Sequence, residues 1–209
     1  MKAHELHLQQ VRLCLQDKLL LALDASLAGG EVLTIMGPSG SGKSTLLAHV
    51  AGFLPPAFRA SGKVMLDDED ITSVSAERSG VGLLFQDPLL FPHLSVAGNL
   101  RFGLVPGHPK PQMRVEQALA EIGLSGFGSR DPETLSGGQR ARVSLMRLLL
   151  SEPRAVLLDE PFSKLDRSLR AEMRQLVFEH LTSRGLPTIL VTHDHEDAEA
   201  ARGRVIELF

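Results

Sequence analysis

The nine residues GPSGSGKST, at positions 37–45, constrain this chain more than any other stretch of it. They fit G-x-x-x-x-G-K-[ST] without a mismatch, and they follow VLTIM, an apolar strand candidate at 32–36. Leu46, Leu47 and Val50 then give a helical pattern that ends at Gly52. A loop of this composition between strand and helix turns successive backbone N–H groups inward as a nest for phosphate, and the positive end of the helix adds to the field. Gly37, Pro38, Ser39, Gly40, Ser41, Gly42, Lys43, Ser44 and Thr45 are therefore the candidate phosphate-binding residues. Lys43 is suited to the β- and γ-phosphates, Ser44 to a Mg²⁺ ion and Thr45 to the α-phosphate.

A strand feeding such a loop belongs to a parallel sheet, and further short strand patterns support one. They lie at 63–66, 82–85, 155–158, 188–191 and 204–208, which predicts an α/β fold with a mostly parallel sheet, the core of a P-loop NTPase. Residues 88–151 differ: Val115, Ala118, Leu119 and Ile122 fall on one helical face, and Pro106, Pro109, Pro111, Gly126 and Gly128 mark loops. This segment is expected to be a helical subdomain inserted between two parts of the nucleotide-binding core, 1–87 and 152–209, within a single domain. A helix over 167–184 is expected to bury Leu169, Met173, Leu176, Val177 and His180, stopping at Gly185 ahead of Pro187.

Composition narrows the partners. With 22 basic and 25 acidic side chains the formal net charge is −3, which gives no electrostatic reason to expect a nucleic acid. Cys14 is the single cysteine, so neither an internal disulfide nor a multi-cysteine metal site is possible, and a reducing compartment is the simple inference. The opening MKAHELHLQQ lacks the apolar core of a secretion signal. The apolar runs fall far short of the roughly 20 residues that span a bilayer, so any membrane role is expected to come through a partner.

Two more stretches carry chemistry. AVLLDEP, at 155–161, is an apolar strand ending in two carboxylates at the sheet edge where the phosphate loop lies. Asp159 is placed to face the water shell of a metal, and Glu160 is the candidate general base for an attacking water. LSGGQRARVSLMRLLL, at 135–150, opens a helix with Ser136 as N-cap and with Gly137 and Gly138 leaving the backbone open to close approach. It is a second anion site with no acid, base or metal ligand of its own.

GPSGSGKST, the segment LLFQDPLLFPHLSV around Gln86, LSGGQRAR, VLLDEP, SKLD and VTHD occur in that order. Together they make the chain resemble the ATP-binding subunits of ABC transporters, of the short bacterial import type. The resemblance implies the ABC ATPase fold, with an N-terminal antiparallel β subdomain, and ATP and Mg²⁺ as cofactors. It implies that Ser136, Gly137, Gly138 and Gln139 touch a nucleotide held by the opposite subunit of an ATP-sandwich homodimer. It further implies that Gln86 contacts Mg²⁺ or the lytic water, that His193 approaches the γ-phosphate, and that Asp166 is a dimer-contact residue. Lys164 departs from the pattern, which has a small residue there. The implied partners are membrane permease subunits and a solute-binding protein, with the chain cytoplasmic and peripheral on the inner face of the plasma membrane. By the same resemblance the segment at 85–104 lines a groove for a short helix of the permease, with at least two of Leu89, Leu90, Phe91 and Leu94 exposed in it. A soluble ABC-type ATPase acting on DNA or ribosomes is the alternative, but no coiled-coil insertion or basic extension is visible. A small-molecule kinase would have no use for LSGGQ or His193.

The family commonly stacks adenine on an aromatic side chain in its first strands, near Leu13 and Cys14 here, yet the chain has no Tyr or Trp and Phe53 is its first aromatic. Losing a stacking contact removes about 1–3 kcal/mol per base, by analogy with nucleic-acid binding. Equilibrium titration with ATP and GTP is expected to show weak binding with little difference between the two. A strong preference for ATP would contradict this.

Overall fold

The computed structural model describes residues 4–208 of the chain. In chain order, the first half holds β1 (Leu6–Leu15), β2 (Lys18–Leu27), β3 (Val32–Met36), α1 (Lys43–Val50), β4 (Phe58–Leu66), β5 (Glu69–Asp70), β6 (Val81–Leu84) and α2 (Val96–Gly103). The second half holds α3 (Pro111–Glu121), α4 (Gly137–Leu149), β7 (Ala155–Asp159), α5 (Arg167–Ser183), β8 (Thr188–Val191), α6 (His195–Ala201) and β9 (Arg204–Glu207). Five strands form a sheet in the order β6-β7-β8-β3-β9, in which every neighbouring pair is parallel. The other four form an antiparallel sheet in the order β2-β1-β4-β5. A parallel sheet joined to a separate antiparallel one is the arrangement the sequence leads one to expect.

The parallel sheet is covered on both faces, and its strands are accordingly apolar throughout rather than alternating. Along β7, Val156 and Leu158 pack with helices α4 and α5 in one core cluster, whereas Ala155 and Leu157 pack with α1 and the antiparallel sheet in the other. Leu190 against Ile189 and Val191 in β8 divides the same way. Period-two geometry sends successive side chains to opposite faces, so one apolar run serves both cores.

The strands β1 and β2 left a fainter trace in the sequence. In β1 the buried residues are Leu6, Leu8, Val11 and Leu13, so the alternation loses phase between Leu8 and Val11. The pairing register shifts there, and Gln10 takes a positive φ of 50°, as at a β-bulge. Pro111 is not in a loop as expected but stands at the first turn of α3, where a missing N–H costs nothing. In α5, Met173 and Val177 are buried as expected, but Leu169, Leu176 and His180 are only half-buried, and Arg174, Phe178 and Leu181 complete the inner face. His180 instead lies with Nδ1 2.7 Å from the Arg184 guanidinium.

Gly203 connects α6 to β9, where an added Cβ would meet the Val32 carbonyl oxygen at 1.8 Å. Gly203→Ala must therefore push β9 away from β3, and a loss of about 2–3 kcal/mol in stability is expected from overpacking of this kind. Gly107→Ala, at φ +81° with nothing within 4 Å, is the control and should cost about 1 kcal/mol. Denaturant unfolding of the two variants compares them.

Candidate active site

Parallel pairing aligns the ends of four strands. Leu84 of β6 is level with Leu158 of β7, Asp159 with Val191 of β8, and Val191 with Ile35 of β3. Gln86, Asp159, Glu160, His193 and Gly37 thus leave the sheet along one carboxyl edge. That is where open α/β sheets place their ligands.

The phosphate loop leaves β3 at this edge. Gly42 is the N-cap of α1 with φ 91°, no side chain caps the helix, and no acidic residue stands in its first turn, so the leading N–H groups are uncommitted. Lys43 is buried, and its Nζ donates to the carbonyl oxygens of Gly37 (2.7 Å) and Pro38 (2.9 Å), folding the ammonium over the curve of the loop. The Ser41 hydroxyl is buried with no hydrogen-bond partner, an uncompensated polar group that an anion in the loop would satisfy. Ser39, Gly40 and Ser44 are exposed, and Thr45 is half-buried.

Asp159 and Glu160 face different partners. Ser44 Oγ donates to Asp159 Oδ1 at 3.2 Å. Burial raises the pKa of Asp159 above its ordinary value; the Ser44 bond opposes this, the charge of Glu160 adds to it, and Lys43 opposes it. Ser44 Oγ and Asp159 Oδ1 are oxygen donors of the kind a Mg²⁺ ion takes, and no group of three or more His, Cys, Asp or Glu that could hold a metal exists among the described residues. Glu160 has a left-handed backbone, φ 45°, a strained state for a residue with a side chain. It is held by its own N–H donating to Val191 O (2.9 Å) and by Ser163 Oγ donating to its carbonyl (2.9 Å). Glu160 Oε1 lies 3.2 Å from His193 Nδ1, and the imidazole is 65% exposed, so the pair points outward from the sheet edge.

Behind His193 is a network that sequence reading did not find. Arg174, buried in α5, donates to Asp197 (2.6 Å), Glu196 (2.7 Å) and Asp194 (3.1 Å), while Arg170 also reaches Asp194 (2.8 Å). Thr192 Oγ1 donates to Asp197 at 2.7 Å and accepts from Asp194 N, which ties down both residues flanking His193. The clue in the sequence was an arginine within the inward stripe of α5 and three acids just after VTH.

The LSGGQ segment lies elsewhere. Ser136 and Gln139 form a reciprocal capping box: Ser136 Oγ accepts from Gln139 N (3.2 Å), and Gln139 Oε1 accepts from Ser136 N (2.9 Å). The two glycines differ. Nothing lies within 4 Å of a Cβ built on Gly137, so its backbone is open to approach. A Cβ on Gly138 would collide with Leu169 at 2.4 Å, so this glycine serves the packing of α4 on α5 rather than an open face. The open depression beside Ser136 is lined by Gly137, Lys164, Asp166 and Ser168, and no phosphate-loop residue borders it. Asp166 caps α5, accepting from Leu169 N and Ser168 Oγ, which holds its pKa low.

Gln86 is exposed, and the segment after it is anchored to α4. Ser144 Oγ and Arg147 Nη2 donate to Pro88 O, Arg147 Nη1 donates to Leu89 O, and buried Asn99 bonds both the N–H and the carbonyl of Phe91. Of the four apolar residues expected in a groove, only Leu89 is fully exposed, at 55% and with a positive φ of 44°; Leu90, Phe91 and Leu94 are half-buried. Phe102, 66% exposed and edge-on to Phe91 at 4.6 Å, extends the patch and was not singled out from sequence. The start of β2 approaches the phosphate loop, with Leu20 Cβ 3.3 Å from a Cβ built on Gly42. Leu13 is fully buried, whereas Leu15 and Leu19 near the turn are exposed, so this end of the hairpin offers aliphatic rather than aromatic surface.

Residues 20–163 match the sequence profile of the ABC transporter family. The chain is 44% identical over 188 residues to the uncharacterized ABC transporter ATP-binding protein YnjD of Escherichia coli (strain K12), covering 88% of this chain and 86% of that one. It is 41% identical over 206 residues to the thiamine import ATP-binding protein ThiQ of Jannaschia sp. (strain CCS1), covering 97% and 88%. In structure it is similar to cbiO1 from Clostridium perfringens, part of the ABC transporter complex cbiONQ, with a TM-score of 0.83, 30% identity, and 97% and 84% of the two chains covered. Longer import subunits match at the same level, 44% identity, with this chain spanning 50–55% of their length.

The raised pKa of Asp159 means that the folded chain holds a proton more tightly there than the unfolded chain does, so stability falls as pH rises from the ordinary carboxylate value through the raised one. Asp159→Asn removes that cost. Without nucleotide, its melting temperature should exceed that of the parent at about pH 7, and the gain should vanish at about pH 3, where both carboxyl forms are neutral. A gain that is the same at both pH values would assign the effect to packing.

Proposed function

Because this chain belongs to the ABC transporter family, whose ATP-binding subunits are ATPases, we propose that it powers a bacterial importer of a small solute through ATP-driven closure of two copies. The observation that carries this is that two sets of residues suited to a nucleotide lie on separate parts of the chain, which we read as complementary half-sites. One edge has Lys43, Ser44, Asp159, Glu160 and His193, and a separate face has Ser136 and open Gly137 at the capped start of α4. A two-fold pair joins each edge to the other chain's face and so completes two sites at once.

In this reading the N–H groups of the loop and Lys43 bind the triphosphate. Lys43 exchanges its two carbonyl partners for phosphate oxygens. Ser44 and Asp159 would hold Mg²⁺, which supplies charge neutralisation of the phosphates when bound. Glu160 accepts the proton of the attacking water, and His193, 3.2 Å from it, orients that water toward the γ-phosphate. Gln86 joins this set from the neighbouring strand and passes its state to residues 88–151, the helical subdomain. Ser136 and Gly137 of the second copy close over the γ-phosphate. Hydrolysis and phosphate release remove what joined the chains, so the cycle alternates between closed and open pairs.

The partners follow from the surface. Leu89, Phe91 and Phe102 form an apolar patch on the helical segment, suited to a short helix of a membrane permease. No helix among the described residues is long and apolar enough to cross a membrane; in this reading the chain sits on the cytoplasmic side and is attached through that permease. The import direction is supported by the likeness to a thiamine import ATP-binding protein, and in this reading a solute-binding protein delivers the solute to the permease.

Glu160→Gln is expected to lower ATP turnover by about 10²- to 10⁴-fold, the worth of a general base, while MgATP still drives pairing. Steady-state phosphate release and light scattering test the two halves. Retained turnover removes Glu160 from the base role, and single molecules at saturating MgATP remove the shared-site mechanism.

A further inference from the structure

Lys164 lies in the loop that follows Glu160, between Ser163, which anchors the Glu160 carbonyl, and Leu165. Its Nζ is 2.5 Å from Oδ1 of Asp87, the residue directly after Gln86, so one ion pair bridges the two loops that leave β6 and β7. Both side chains are more than half exposed, at 52% and 56%. An exposed pair of this kind contributes about 0–1 kcal/mol, so it is easily exchanged for another partner.

Lys164 also stands between two hollows. One, about 270 Å³, lies beneath the Gln86 segment and is lined by Gln86, Asp87, Gly137, Phe162 and Lys164. The other, about 390 Å³, is the depression beside Ser136. Gly137, Lys164 and Leu165 line both. The charges around the second hollow are unsuited to a triphosphate without Lys164: Asp166 and Glu172 are its other ionisable residues, and Lys164 is the only cation bordering it among the described residues. Glu172 is matched by Arg142 at 2.5 Å, whereas Asp166 bonds only N–H and hydroxyl donors and keeps its full charge.

We propose that Lys164 is a switching cation: in the single chain it holds Asp87 beside Gln86, and on closure its ammonium moves to the phosphates of the nucleotide carried by the second copy. This rests on the Ser136 face being the cap over that nucleotide. A lysine ammonium is a compact charge with three donors on a flexible stem, suited to changing partners. A polyphosphate in a seam that excludes water outcompetes one solvated carboxylate. The exchange releases Asp87, so arrival of the second copy is felt in the loop that carries Gln86. Lys164 thereby adds a positive charge to a cap otherwise made of a hydroxyl and backbone N–H groups.

The experiment uses the full chain carrying Glu160→Gln, with the MgATP concentration for half-maximal pairing read by light scattering at several salt concentrations. Adding Lys164→Met should raise that concentration about tenfold, as expected for one charged hydrogen bond, and flatten its salt dependence. Lys164→Arg should recover most of the loss. Asp87→Asn frees the ammonium in advance and should lower the concentration severalfold, while the double variant follows Lys164→Met. Nucleotide affinity in dilute single chains should stay within about twofold for all of them, since Lys164 serves the other copy's site. Equal losses from Lys164→Met and Asp87→Asn would show a simple staple between the loops and overturn the proposal, as would no change on Lys164→Met. Absence of pairing in the Glu160→Gln parent would instead strike the shared-site mechanism itself.

Discussion

The hydrogen-bonded register of the parallel sheet is the constraint on which the rest of the molecule depends. Four strands that start in unrelated parts of the chain end level with one another, so residues far apart in sequence, Gly37, Gln86, Glu160 and His193, emerge along one edge. The sheet is buried on both faces, and a slip of one residue would exchange the sets of side chains that fill the two cores. Position at the edge is therefore fixed by packing that lies well below it.

At the edge itself, polar groups convert position into orientation. Glu160 is kept in a left-handed conformation by Val191 and Ser163, and the segments around His193 are fixed by Arg174, Asp194, Asp197 and Thr192. The Arg174 hub is buried and surrounded by three carboxylates, an arrangement that costs desolvation and returns rigidity. The phosphate loop, by contrast, is left unsatisfied. Its helix start is uncapped and the Ser41 hydroxyl has no partner within the chain, so these donors are free for an anion.

The Ser136 face is organised on the opposite plan. Its helix is already capped by Ser136 and Gln139, Gly138 is closed against Leu169, and only Gly137 is open. A ligand arriving there meets a finished surface with a few free donors and a nearby lysine. That contrast between an unfinished nest and a finished cap is what makes one chain half of each site in the proposed pair.

The phosphate loop, the paired acids at the end of β7, the capping start of α4 and the buried strands were legible in the sequence, because each depends on local spacing that backbone geometry reads directly. The doubly covered sheet appeared as uninterrupted apolar runs for the same reason. Where local pattern loses phase, as at the bulge between Leu8 and Val11, the strand was hidden, since pairing with β2 and β4 overrides it. Only the tertiary structure decided that Gly138 packs while Gly137 stays open, that Arg174 braces the residues around His193, and that Lys164 reaches Asp87. These are contacts between elements distant in the chain, and no period along a single segment encodes which face of one will meet which face of another.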